Sequence, residues 1–224
     1  AGIKVCMITG DHLRTAISIA SELGIYDSKD PQRCRAMRGD DLDVLSDEAI
    51  ASMNPFPVVF ARVSPQNKLS IVRALQSRGE IVIMTGDGVN DAPAISKADV
   101  GIAMGQSGTE ISKDAADVIL LDDNFYTILK AVHGGRLIYS NILKFLVYLL
   151  ACNSAEIWTV LVAALLNVTV PLSAMNILWA NIIADVPPSM SLGMEPAEEG
   201  LMLQHPRNIK SGVLSTRNWL LILM

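Results

Sequence analysis

Short apolar runs alternate with helix-period patterns over roughly the first 124 positions, and long apolar runs follow. Residues 3–8 are apolar and bounded by Thr9-Gly10-Asp11, which predicts a strand ending in a turn. A helix pattern runs from His12 to Leu23, with Ala16, Ile19, Ala20 and Leu23 on one face and Gly24 as its stop. Residues 27–54 are polar and irregular, consistent with a solvated face holding one short helix. A strand is expected over 58–61, then a helix to Ser77 with Leu69, Val72 and Leu75 inward. A second strand, turn and helix start follows at 81–93, I-V-I-M-T-G-D-G-V-N-D-A-P. Further strands are expected over 100–104 and 118–121, separated by a turn at 105–108 and a helix from Thr109. Strands alternating with helices predict a doubly wound α/β domain with its ligand-facing turns at one edge of the sheet.

From Phe125 a helical pattern continues into 145–166, where Glu156 is the one charge. Residues 167–171 break it, and a second apolar stretch reaches Leu192 with Asp185 its one charge. About twenty apolar residues suffice to cross a bilayer. The expected organisation is an α/β domain over 1–124, a stalk helix over 125–144, membrane helices over 145–166 and 171–192, and a loop over 193–217. A further span would start at 218–224. Lys130, Arg136 and Lys144 precede the first span, and Arg207 and Lys210 follow the second. The positive-inside rule then puts both outer flanks, and the α/β domain, in the cytosol.

Composition changes this picture little. A net charge of −5 argues against a nucleic-acid partner. Three widely spaced cysteines, Cys6, Cys34 and Cys152, suggest neither a disulfide framework nor a zinc site. No signal peptide is visible. The chain begins within an expected strand and stops in an apolar run, and so reads as a fragment.

The candidate chemistry sits in two places. Asp87 and Asp91 fall at the carboxyl end of a strand, and two close carboxylates with oxygen-only donors suit Mg²⁺. The same residues also serve an ordinary Gly-Asp-Gly turn and a cap ahead of Pro93. The turn at Thr9 offers backbone N–H groups at a helix start, a natural anion site; a capping threonine is the simpler reading of Thr9 alone. Lys68 lies near a helix start, where the helix dipole disfavours a cation unless an anion is close. In the membrane stretches, Asn153 and Glu156 are three apart, and Asn181 and Asp185 four apart, so each pair shares a helix face. An acid at mid-bilayer costs about 2.5–3.5 kcal/mol on insertion scales. Facing pairs would form an oxygen-rich cation cage, with Pro187-Pro188 freeing carbonyls as further ligands. The alternative is a polar pair that joins two helices.

Longer runs carry a specific resemblance. T-G-D-G-V-N-D-A-P (85–93) resembles the hinge signature of the P-type ATPases, ion pumps that phosphorylate themselves on an aspartate. M-I-T-G-D (7–11), F-A-R-V-S-P-Q-N-K (60–68), V-G-I-A-M-G (100–105) and D-D-N-F (122–125) are similar to other segments of that family. C-N-S-A-E (152–156) and L-W-A-N-I-I-A-D-V-P-P (178–188) resemble the fifth and sixth membrane helices of type II cation pumps, above all calcium pumps. The resemblance implies a haloacid-dehalogenase-like phosphorylation domain followed by a membrane hairpin. It implies ATP and Mg²⁺ as cofactors, with Asp87 and Asp91 on the metal, Asn90 ordering the site, Thr9, Gly10 and Lys68 on phosphoryl oxygens, and Asp11 shaping its turn. Asn153, Glu156, Asn181 and Asp185 match ion-binding positions, with Ca²⁺ as cargo or Na⁺ as the alternative. The stalk would couple domain movement to that cage. Ala184 replaces a threonine that endoplasmic-reticulum-type calcium pumps carry, as in secretory-pathway pumps, whose S-L-G-x-E-P run is matched at 191–196. The partners implied are the lipid bilayer and the rest of the pump. No D-K-T-G run occurs in these residues, so no ATP hydrolysis is expected of this stretch alone. Two other classes fit less of the chain: a membrane-anchored haloacid-dehalogenase-like phosphatase and a non-enzymatic regulatory partner of an intact pump.

Overall fold

The computed structural model describes residues 2–169, 172–207 and 212–223. Pro171, Lys210 and Met224, on which parts of the expected spans and flanking charge rest, lie outside the described residues. The chain divides into two compact units, Ile3–Ile128 and Leu129–Met224, the second including the first two residues.

The first unit is α/β with parallel strands throughout. β1 (Met7–Ile8), β2 (Ala36–Arg38) and β3 (Val59–Ala61) form one sheet in the order β1-β3-β2. β4 (Ile83–Gly86), β5 (Val100–Met104) and β6 (Val118–Leu120) form a second in the order β4-β5-β6. Ile8 packs against both the cluster around Phe60 and Ile71 and the cluster of Val72, Val82, Met84, Ala94 and Ile95. The edges β1 and β4 therefore share one core. The helices α1 (Leu13–Glu22), α4 (Pro65–Ser77), α5 (Ala92–Lys97) and α6 (Glu110–Asp114) follow β1, β3, β4 and β5, the alternation expected of a doubly wound domain.

Three local expectations need correcting. β1 is only two residues long, because it pairs through Met7–Val59 and Ile8–Phe60 alone, and Ile3 and Val5 extend past its partner into solvent. The buried face of α1 is Ala16 and Ala20 with Leu13, while Ile19 and Leu23 are exposed; the two alanines let the helix lie close on Val59 and Ala61 of β3. The polar stretch 27–54 holds β2 and two short helices, α2 (Gly39–Leu42) and α3 (Asp47–Ala51). β2 was hidden in the pattern because Ala36-Met37-Arg38 has no β-branched residue, and only its pairing with β3 defines it.

In the second unit α7 (Phe125–Leu165) is one uninterrupted helix of 41 residues. At 1.5 Å per residue it is about 60 Å long, twice the roughly 30 Å of a hydrocarbon core. It is the one helix among the described residues long and apolar enough by itself to cross a membrane. Polarity, and not any backbone break, distinguishes its first part from the apolar stretch 145–165. The second apolar stretch is helical without interruption from 174 to 193, but in three pieces: α8 (Ala174–Trp179), a π-helical turn (Ala180–Asp185) and α9 (Val186–Gly193). Pro187 and Pro188 directly follow the π-turn inside this continuous helix, so their missing N–H groups bear on carbonyls of the preceding turn, where the irregularity falls. Loop contacts, a short 3₁₀ turn (Leu201–Leu203) and α10 (Thr216–Leu223) complete this unit.

Candidate functional site

In the first unit three turns meet at the carboxyl ends of the strands. The turn after β1 is laced to the one after β3: Thr9 N–H donates to Phe60 O (2.9 Å), Arg62 N–H to Asp11 O (3.1 Å) and Val63 N–H to Thr9 O (3.3 Å). Thr9 Oγ1 accepts from Asp11 N–H (3.1 Å), which shapes the loop and leaves Gly10 and Asp11 exposed. Thr9 is thus a turn former, and the helix cap falls to His12.

α4 starts beside this turn. Ser64 caps it by accepting from Asn67 N–H (3.2 Å), and Asn67 Oδ1 accepts in return from Ser64 N–H (2.7 Å), with Pro65 at the first helical position. Asn67 is itself anchored by donating to Asp43 Oδ1 (2.6 Å). That box fixes the first turn, and with it Lys68. The Lys68 ammonium donates to Asp91 Oδ1 at 2.6 Å, and the two side chains are only 15% and 10% exposed. A cation at a helix start is disfavoured by the dipole; here a nearly buried carboxylate offsets it.

Asp91 ends the 3₁₀ turn Val89–Asp91 that follows β4. Its Oδ2 accepts from Gly88 N–H (3.2 Å). Gly86 is required beneath it: a Cβ there would lie 2.5 Å from Asp91 Cβ and 2.6 Å from Cγ. The Asp87 carbonyl accepts from Thr109 N–H (2.9 Å) and from Ser112 Oγ (3.1 Å). Ser112 is fully buried, so the backbone of Asp87 is clamped while its carboxylate faces solvent. Asn90 is likewise exposed. No hydrogen bond or ion pair occupies the Asp87 carboxylate among the described residues. One open carboxylate, with a second that keeps unused lone pairs, matches the donor set of an Mg²⁺ ion that completes its shell with phosphate and water.

Of the predicted residues, the structure brings Lys68 and Asp91 into direct contact and sets Thr9, Gly10 and Asp11 in one turn. Reading the sequence missed Gly86, Asn67, Thr109 and Ser112. The T-x-x-S spacing at 109–112 was the available signal, since Ser112 N–H bonds back to Thr109 Oγ1 (3.3 Å) as in a helix cap.

The second unit places polar groups on adjoining helical segments. Tyr148 OH donates to Ala184 O (3.3 Å). Ala184 lies four residues before Pro188, so its carbonyl is one that a regular helix would have paired with the N–H that proline lacks. Asp185, at the end of the π-turn, is 6% exposed, and its Oδ2 has no hydrogen-bond partner. Ser189 Oγ donates to the Asp185 carbonyl. Glu156 and Asn181 are half-buried. Asn153 is exposed and donates back to Leu149 O (2.9 Å) along its own helix. No group of three or more His, Cys, Asp or Glu side chains is close enough to hold a metal among the described residues. Nearer the start of α7, Asn141 donates to Gly193 O (3.3 Å) and Glu195 O (2.8 Å), and Lys144 pairs with Glu195 (2.8 Å) and Glu198 (2.7 Å).

Comparison with known proteins gives matches in both units. A family model described as the C-terminus of cation-transporting ATPases matches residues 169–224, and models of haloacid dehalogenase-like hydrolases match 1–99 and 67–132. Calcium-transporting ATPase 1 of Bacillus cereus is 51% identical over 96% of the chain, and the calcium-transporting ATPase of Bacillus subtilis 48% identical over 97%. The human calcium-transporting ATPase type 2C member 1 is 45% identical over 99%. The chain spans 24% of the length of each of these relatives. Matches to a hydrolase model over the α/β unit and to a cation-ATPase model over the apolar one, with relatives that share both in one order, show that the chain belongs to the P-type cation-transporting ATPases.

Proposed function

We propose that this chain is the phosphate-handling and ion-binding part of an ATP-driven pump that exports Ca²⁺ from the cytosol through an aspartyl-phosphate intermediate. The observation that carries the reading is Asp185. A carboxylate oxygen that is buried, unpartnered and set in an apolar helical stretch is costly unless a cation meets it. The relatives named above supply the ion, since each is called calcium-transporting.

In this reading the first unit works on a phosphoryl group. Lys68 offsets negative charge on its oxygens, and the Thr9-Gly10 turn offers backbone N–H groups to it, with Asp11 shaping the loop. Asp91 holds the Lys68 ammonium in place. Asp87, assisted by Asp91 and ordered by Asn90, would hold Mg²⁺, which supplies charge neutralisation on the phosphoryl oxygens when bound. In the second unit Asp185, Glu156, Asn181 and Asn153 supply oxygen ligands for the transported ion, and a turn of Asn153 away from Leu149 O would free its amide. The stretches 145–166 and 171–192 cross the bilayer, with the α/β unit in the cytosol.

The test is phosphoenzyme formation from ATP in the full-length parent, titrated with Ca²⁺ and repeated with Glu156→Gln and Asp185→Asn. Activation by Ca²⁺ that both substitutions abolish is the expected result. Activation by Na⁺ alone, or Ca²⁺ dependence that survives both changes, overturns the reading.

A further inference from the structure

Asn141 is a buried polar side chain that the chemistry above leaves unused. It sits on α7 ahead of the apolar stretch 145–165, is 5% exposed, and its Oδ1 has no hydrogen-bond partner. A buried amide with one end unsatisfied costs stability, and an apolar side chain of the same size would avoid that cost. What an apolar side chain cannot do is donate. Asn141 Nδ2 donates to Gly193 O (3.3 Å) and Glu195 O (2.8 Å). α9 ends at Gly193, and the last carbonyls of a helix have no partner within it. Asn141 therefore caps α9 from the neighbouring helix. Lys144, three residues on, pairs with Glu195 and Glu198 and reinforces the same end.

Tyr148 lies two turns from Asn141 on the same face of α7, and its hydroxyl donates to Ala184 O, next to Asp185. Between these two anchors the segments do not close on each other. Phe145, Leu149, Val186, Ser189 and Met190 line an apolar cleft of about 260 Å³. Apolar packing thus leaves the spacing between α7 and the Asp185 segment loose, and the polar contacts at its two ends set it. We propose that Asn141 is a positioning residue for the intramembrane ion site: by capping α9 it fixes where Asp185 is presented to the ligands on α7. The proposal rests on the pump reading for the identity of that site. Asp185 stands at the junction of the π-turn and α9. With its far end free, α9 swings about the Tyr148 anchor and carries the Asp185 carboxylate with it.

The experiment uses the full-length parent. Asn141→Leu has nearly the size of asparagine without its donor, Asn141→Ala repeats the loss of the donor with a smaller side chain, and Asn141→Gln is larger and keeps the donor. Ca²⁺ activation of phosphoenzyme formation is titrated in each, together with the maximal level per mole of protein, which reports the folded fraction. Asn141→Leu is expected to raise the half-activating Ca²⁺ about tenfold, the lower end of what loss of a ligand's supporting contacts does, with the maximal level kept. Asn141→Ala decides the matter where leucine is not tolerated, and Asn141→Gln is expected to shift activation least. A lower maximal level with unchanged half-activation in the donor-less variants reports a folding role alone and overturns the proposal. A larger shift in Asn141→Gln than in Asn141→Leu makes size the determinant and also overturns it. In a second arm, spin labels at the exposed Leu150 and Ile183, in a parent whose reactive cysteines are replaced, report the spacing by pulsed electron paramagnetic resonance. The distance distribution is expected to broaden in Asn141→Leu and to hold in Asn141→Gln; a distribution unchanged in both overturns the proposal whatever the titration gives. Ca²⁺ activation that survives Asp185→Asn overturns the pump reading and with it the role of Asn141 in ion binding, whereas the failures above arise with Asp185→Asn inactive.

Discussion

At the scale of single residues, the turns at the carboxyl ends of the strands depend on a few side chains. Lys68 and Asp91 neutralise each other with little solvent between them. Removing one leaves the other buried and unpaired, which costs more than the pair itself contributes. Lys68→Ala should therefore destabilise the α/β unit by about 3 kcal/mol, read as a lower urea midpoint of its unfolding, and Lys68→Ala/Asp91→Ala together should cost less than the sum of the singles. Gly86→Ala tests the space under Asp91. The added Cβ cannot coexist with Asp91 Cβ at 2.5 Å, so the carboxylate must shift. Loss of about 1–3 kcal/mol, with loss of Mg²⁺-dependent phosphorylation in the full-length parent, is the expected outcome. A variant phosphorylated at the parental rate would show that Asp91 need not sit where it does. These residues divide sharply by legibility. Asp87, Asp91 and Lys68 stood out because charges beside turns and helix starts are chemically conspicuous. Gly86 and Ser112 did not, because their roles are a vacancy and a buried hydroxyl, and both exist only once β4, α6 and the 3₁₀ turn have been packed together.

Among elements, caps and loop closures decide where these side chains point. Ser64→Ala removes the hydroxyl that starts α4 and should cost about 1 kcal/mol, with a matching fall in thermal midpoint. The loop after β6 closes differently. Asp123 takes a positive φ of 49° and accepts from the N–H groups of Gly105 (2.6 Å), Gln106 (2.9 Å) and Ser107 (2.7 Å), which tie the end of β6 to the end of β5. The Gln106 N–H first, then those of Ser107 and Gly105, hold its carboxyl down at about 2. A depressed acid stabilises the fold above its unfolded value of about 3.9, and that contribution drains away as pH falls through the folded value. Asp123→Asn should accordingly be less stable than the parent at neutral pH, with the gap closing between about pH 4 and pH 2. A gap constant with pH would mean that the charge is immaterial. Element order was readable from alternating apolar runs and turn residues. The face of α1 was not: Ala16 and Ala20 are chosen for their smallness against Val59 and Ala61, and hydropathy ranks the exposed Ile19 and Leu23 above them.

At the scale of the whole molecule, an α/β unit and an apolar helical unit lie in one chain, each with its own contacts. If α7 and the stretch from 174 to 193 cross a bilayer, the chain should stay in the membrane pellet through alkaline carbonate and high salt. Release by carbonate would refute the two spans. The apolar character of the second unit was legible in charge density, since between Lys144 and Glu195 only Glu156 and Asp185 are charged. The interruption at 180–185 was legible only in part: the prolines announced it but not its place. That π-turn bears on how the chain can vary in length. A π-turn in a helix is one residue more than an α-helix needs for the same path. Deleting one residue between Ala180 and Asp185 would restore plain α-helix and leave Ser189 and the partners of Lys144 on their present face, whereas the same deletion in the regular helix of α9 would turn everything beyond it by about 100°. The π-turn is therefore the one place in this helical stretch where the chain can lose a residue without compensation, as the exposed loops of the α/β unit can.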